Sequence, residues 1–125
     1  MNNLAVLPAL QEEKLQEALK LINSAIEIAG PVAPMLDSRA TVYMTLGKPD
    51  KALTDLEKAI LEKDTPVRLF HQARAYLQHG RQTGTATASL EKALENGLTP
   101  KMLEPLERKH YHRLMKELRL KQPKA

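Results

Sequence analysis

The stretch that decides the fold runs from residue 36 to 62, LDSRATVYMTLGKPDKALTDLEKAILE, and it returns at 69–95 as LFHQARAYLQHGRQTGTATASLEKALE. Leu36, Ala40, Tyr43 and Gly47 reappear 33 residues later as Leu69, Ala73, Tyr76 and Gly80. Ala52, Leu56 and Ala59 reappear 34 residues later as Ala86, Leu90 and Ala93, and the segment LEKA is identical in the two copies. The intervals differ because one extra residue follows Gly80. A third copy of the second set lies upstream, where Ala18, Ile22 and Ala25 precede Ala52, Leu56 and Ala59 by 34. A recurrence on this scale is the mark of a repeat architecture.

Each half of the unit reads as a helix. Leu36, Ala40, Tyr43 and Gly47 fall at i, i+4, i+7 and i+11, which is one stripe of an α-helix. The small alanine lets a neighbouring backbone approach, tyrosine fills the space beside it, and glycine closes the helix where a left-handed residue is needed. In the second half Ala52, Leu53, Leu56, Ala59 and Ile60 share a face, and Pro49 stands near the first turn, where its missing N–H costs nothing. A hairpin of two such helices cannot bury its apolar face alone, so neighbours must stack on it.

These residues resemble the tetratricopeptide repeat, a 34-residue helix–turn–helix unit. Ala40, Tyr43, Gly47, Ala52, Leu56 and Ala59 match one copy, and Ala73, Tyr76, Gly80, Ala86, Leu90 and Ala93 match the next. Leu36 and Leu69 stand where the motif usually starts with tryptophan. The resemblance implies an all-α fold, a right-handed α-solenoid of antiparallel helical hairpins, over a single domain spanning 1–125. Within it, 9–32 is a partial repeat, 33–66 and 67–99 are repeats, 100–120 is a capping helix and 121–125 a basic tail. Helices are expected near 9–29, 34–46, 49–63, 66–79, 85–96 and 100–119, with Thr99-Pro100 opening the last.

Composition agrees with this class. The 125 residues are 42% hydrophobic with one Phe, three Tyr and no Trp, so the core must come from Leu, Ile and Ala. Cysteine is absent, which removes disulfides, thiolate metal sites and thiol nucleophiles. No run reaches the ~20 apolar residues of a membrane span, and the start lacks the basic region of a signal peptide. A cytoplasmic location is the default. The net charge of +4 is concentrated: 101–125 carries eight Lys/Arg against three Glu, whereas 1–100 is near balance.

The chain shows little that points to catalysis. His110 and His112 are two apart and diverge on a helix, and His71 and His79 have no acidic partner at ligand spacing, so all four histidines read as solvated surface groups. Gly84 reads as part of the turn, with Thr85 as a helix cap. No phosphate loop or hydrolase triad can be assembled, and no metal or cofactor is expected. The C-terminal cations, distributed around their helix and accompanied by Glu117, read as a solvated cap with a favourable dipole interaction rather than as a nucleic acid site.

The resemblance implies a groove lined by the first helices of successive repeats, which receives a protein or peptide partner. The residues one beyond the core stripe are Asp37, Thr41, Met44 and Thr45, then Phe70, Arg74, Leu77 and Gln78, then Glu104, Arg108 and His112 on the cap. Met44, Phe70 and Leu77 are the expected apolar anchors. The Lys/Asn carboxylate clamp of the family's chaperone-tail binders is not reproduced, because Asp37, Thr41, Phe70 and Arg74 stand there. The function implied is a non-catalytic interaction scaffold, part of a longer repeat protein. The alternative is a regulatory or targeting module of an enzyme or nucleic-acid complex that uses the basic end. The apolar face of 4–26, short of a partner helix, is expected to support weak self-association.

Overall fold

A computed structural model describes residues 8–120 of the chain. Among them the fold is all-α: α1 (Ala9–Ala29), α2 (Ala33–Thr45), α3 (Pro49–Glu62), α4 (Pro66–Gln78), α5 (Thr83–Glu95) and α6 (Pro105–Glu117), with a single 3₁₀ turn at Pro100–Met102. No strand is present among the described residues. Prolines stand in the first turn of α2, α3, α4 and α6, where their fixed φ suits a helix start. Thr65 caps α4 by accepting from the Arg68 N–H at 3.2 Å.

Helices α2 and α3 form one hairpin and α4 and α5 a second, and α3 and α4 pack between them. The first helices α2 and α4 also touch, as do α4 and α6, while α1 leans on α2. Six alanines hold the stack together. Ala40, Ala52, Ala59, Ala73, Ala86 and Ala93 are all 0% exposed, at the positions that the ~34-residue recurrence marked. A methyl group is the largest side chain that lets helix backbones lie this close. Ala75, also fully buried, joins the cluster of Ala40, Met44, Ala52 and Leu56, so a residue of the second hairpin packs in the core of the first.

The helix ends follow the glycine logic. Gly47 has φ 77°, and the Lys48 N–H reaches back to the Tyr43 carbonyl at 2.8 Å, closing α2 in the Schellman manner. After α4 the extra residue is accommodated by a second left-handed residue. Gly80 (φ 68°) is followed by Arg81 (φ 52°), and the Gln82 N–H closes onto the Tyr76 carbonyl at 3.0 Å. This loop is one residue longer than its counterpart, and α5 then starts at Thr83. Gly84 therefore lies inside the first turn of α5 rather than in the turn before it. Thr85 is not the cap, and its hydroxyl donates to the Gln82 carbonyl at 3.3 Å.

The C-terminal segment also departs from the expected helix. Thr99-Pro100 opens only the 3₁₀ turn, and α6 begins five residues later at Pro105. Proline forces the residue before it out of the helical region, and Glu104 has ψ 154°. Leu103 is buried ahead of the helix, and Leu106, in its first turn, is 69% exposed. Tyr111, Leu114 and Met115 form the buried side of α6 instead.

The N-terminal helix is only partly covered. Leu15, Ala18, Leu19, Ile22, Ala25 and Ile26 are all half-buried, and no residue of α1 is fully buried. The part of the expected self-association face that precedes Pro8 lies outside the described residues.

Candidate functional site on the face of the first helices

Helices α2, α4 and α6 sit side by side, and their shared face carries one polar cluster. His71, on α4, is held from both sides: Nδ1 lies 2.7 Å from Asp37 Oδ1 of α2, and Nε2 lies 2.5 Å from Glu107 Oε2 of α6. Arg74, one turn along α4, approaches the same Glu107 oxygen at 3.6 Å. The His71 side chain is 6% exposed.

The protonation state follows from the geometry. A neutral imidazole has one N–H and one lone pair, so it can donate to one carboxylate only. Two carboxylates at hydrogen-bond distance require the imidazolium, which donates to both. Burial works against that charge, but the bonds from Asp37 and Glu107 outweigh it and the His71 pKa is raised. The bond to His71 holds the Glu107 carboxyl below its usual range, against the opposing effect of burial. Burial lowers the Arg74 pKa, with Glu107 opposing it. His110, half-buried beside them, is pushed down to about 4 by burial and by the nearby Arg74 and Arg113 guanidinium groups. His71⁺ and Arg74⁺ balance Asp37⁻ and Glu107⁻, while His110 stays neutral at pH 7.

This arrangement leaves His71 with no lone pair to bind a metal or abstract a proton. It clasps three helices. Among the described residues no group of three His, Cys, Asp or Glu is placed to hold a metal ion.

The expected groove residues divide into three sets. Met44, Phe70 and Leu77 are core residues at 4%, 0% and 8% exposure, so the apolar anchors expected in the groove are not there. The Phe70 ring packs on that of Tyr111 of α6, with centroids 6.2 Å apart. The rule of one residue beyond the stripe fails here because α4 is enclosed on several sides, by α3, α5 and α6. Asp37, Thr41, Thr45, Arg74 and Gln78 do share the face. Thr41 and Thr45 donate to carbonyls of their own helix, and Gln78 Nε2 donates to the Met44 carbonyl at 2.9 Å, tying α4 to the end of α2. Glu104, Arg108 and His112 do not join them. Glu104 precedes α6, and Arg108 and His112 are turned roughly 100° and 140° around α6 from Glu107.

His71 and Glu107 were not recognisable as a pair from local spacing, because the partners of His71 lie 34 residues before it and 36 after. The reading of all four histidines as solvated is corrected for His71, which is buried, and for His110, which is half-buried.

A second polar feature lies on the first hairpin. A shallow cavity of about 190 Å³ is lined by Arg39, Tyr43, Lys51, Thr54 and Asp55. The Tyr43 ring has the Arg39 guanidinium 5.8 Å and the Lys51 ammonium 5.7 Å from its centroid. Arg39 also donates from Nη1 to Asn23 of α1 at 3.0 Å, and Asp55 raises its pKa.

No helix among the described residues is long and apolar enough to cross a membrane. No family model matches the chain, and neither the curated proteins nor the solved structures give a match.

Proposed function

We propose that this chain is a tetratricopeptide-like interaction scaffold without catalytic activity, coiled as a right-handed solenoid, that holds an extended protein or peptide segment on the face of α2 and α4. The observation that carries the reading is the set of six fully buried alanines at the ~34-residue recurrence. Spending every repeat position on close helix approach yields a rigid, side-by-side array of first helices, which suits recognition rather than chemistry.

With Met44, Phe70 and Leu77 inside, the face offers Asp37, Thr41, Thr45, Arg74 and Gln78. It therefore suits a polar segment that donates and accepts hydrogen bonds, in place of an apolar anchor. A neighbour for the half-covered α1, from an upstream repeat or a second copy, is part of the same proposal. So is a cytoplasmic setting, since a cysteine-free helical stack needs no oxidising compartment.

Site-specific photocrosslinking tests this. Crosslinkers at the exposed Thr45 and Gln78 should capture the partner, and crosslinkers at the exposed Glu57 and Glu91 of the second helices should not. Capture from the second helices alone would refute the assignment of the face.

A further inference from the structure

Much of the outer surface of α6 is basic. Taking 3.6 residues per turn, Arg108, Lys109, His112, Arg113 and Lys116 occupy an arc of roughly 140° that no carboxylate shares, and Arg119 follows just past the helix end with φ 56°. All six are exposed. The opposite arc holds Glu107, Tyr111, Leu114, Met115 and Leu118, which face the rest of the protein. The even distribution expected of these cations is thus not what folding produces: the apolar residues claim one side and leave the charge on the other. Glu117, the expected counter-charge, stands at the edge and is taken by Arg81 of the loop before α5. None of Arg108, Lys109, Arg113, Lys116 and Arg119 has a carboxylate within ion-pair distance among the described residues.

We propose that this face of α6 binds the phosphate backbone of a nucleic acid duplex, as a surface separate from the face of α2 and α4. Charge complementarity points to a polyanion, and what the arc lacks identifies which one. A helix lying on an anionic membrane buries an apolar face between its cations, but the apolar side of α6 is already spent on Tyr111, Leu114 and Met115 in the core. A protein partner would need a central buried anchor, and the large apolar residue exposed on α6, Leu106, stands past the edge of the arc rather than at its centre. Backbone phosphates need only cations at suitable intervals. Lys109, Arg113 and Lys116 rise along the helix in steps of roughly 6 and 4.5 Å, comparable with the recurrence of phosphates along a strand. The absence of base-reading elements makes the binding indifferent to sequence.

The test uses the full chain and a short fluorescent duplex, followed by anisotropy at increasing salt. Five cations give a slope of log affinity on log salt of about −4.5 at most, or a loss of a few hundredfold between about 50 and 200 mM. Lys109→Glu with Arg113→Glu and Lys116→Glu should weaken binding at least tenfold at low salt. The same reversal at Lys14, Lys20 and Lys58 matches the change in net charge away from α6 and should weaken it less than threefold. Circular dichroism checks that both variants fold, and Lys109→Gln with Lys116→Gln serves if the reversal does not. The proposal is overturned if the two reversals weaken binding equally, if affinity is insensitive to salt, or if phosphatidylserine vesicles or polyglutamate are bound in preference to the duplex.

Discussion

Arg39 and Asp55 are joined by two hydrogen bonds of 2.7 Å, from Nε to Oδ2 and from Nη2 to Oδ1. The equivalent positions one repeat later are Gln72 and Ser89, joined by a single bond of 3.1 Å from the serine hydroxyl to the amide oxygen. The same junction of first and second helix is thus built once with full charges and once with neutral groups. Asp55 is 3% exposed, so its charge depends on Arg39. Removing one partner of a buried pair costs about 3–5 kcal/mol, whereas replacing both with a matched neutral pair can cost little.

Arg39→Ala should therefore destabilise by about 3 kcal/mol in urea denaturation. The double change Arg39→Gln with Asp55→Ser, which transplants the second repeat's pair into the first, should recover most of that loss. A double variant as unstable as the single one would show that the two junctions are not interchangeable.

The buried alanines give the next expectation. Ala59→Leu and Ala93→Leu should each cost ~1–3 kcal/mol through overpacking, and Ala88→Leu, at an exposed position of the same α5, should leave the urea midpoint unchanged. Equal midpoints for all three would deny the alanines their role as helix contacts.

Stability should depend on pH in two opposed limbs. The folded pKa of His71 is raised above its ordinary 6.5, so its contribution is complete below 6.5 and is lost as pH rises through the folded value. His110 is lowered from 6.5 to about 4; it resists protonation in the fold, and stability falls as pH drops through that window, by an amount reduced by its partial exposure. Glu107, lowered from 4.5, adds a loss as pH falls below that value. Thermal melts should peak near pH 6.5. His71→Gln, costing about 2 kcal/mol through the lost charged bonds, should flatten the alkaline limb, and His110→Gln should flatten the acid limb above 4.5. An alkaline limb that persists without His71 would show that the clasp is not its origin.

The exposed line on α1 predicts association. Leu10, Leu21 and Ile28 are 64%, 73% and 88% exposed on one side of a helix whose Leu15, Leu19 and Ile22 are also only half-covered. Sedimentation equilibrium should show weak dimerisation at high concentration, removed by Leu21→Glu with Ile28→Glu. A strict monomer throughout would mean that this apolar line has no use for a second copy.

The sequence carried the scaffold well because period and side-chain size are local properties. Six alanines, Pro49 and the closing glycines Gly47 and Gly80 were legible as a pattern, and each sits where that pattern implied. The last helix was misjudged although its stop signal was present: Pro105 excludes a helical Glu104, so a helix could not run through from Pro100. The apolar anchors failed for a different reason. Burial of Phe70 depends on Tyr111 and the approach of α6, and no spacing within α4 encodes that. The His71 clasp needs residues from three helices, and such convergence is a property of the assembled stack.

Ala75 carries a consequence for shape. It is a fully buried methyl of the second hairpin set in the core of the first, with Ala40, Met44, Ala52 and Leu56. A wedge placed there acts on the packing between two hairpins that share their core, so its effect reaches the angle between them. Ala75→Val should consequently open or tighten the curvature of the whole stack, visible as altered small-angle X-ray scattering, while each hairpin keeps its own helices. Together with the Gln78–Met44 and His71–Asp37 bonds, that small contact fixes how α4 lies against α2, and so the geometry that a segment held as proposed would meet.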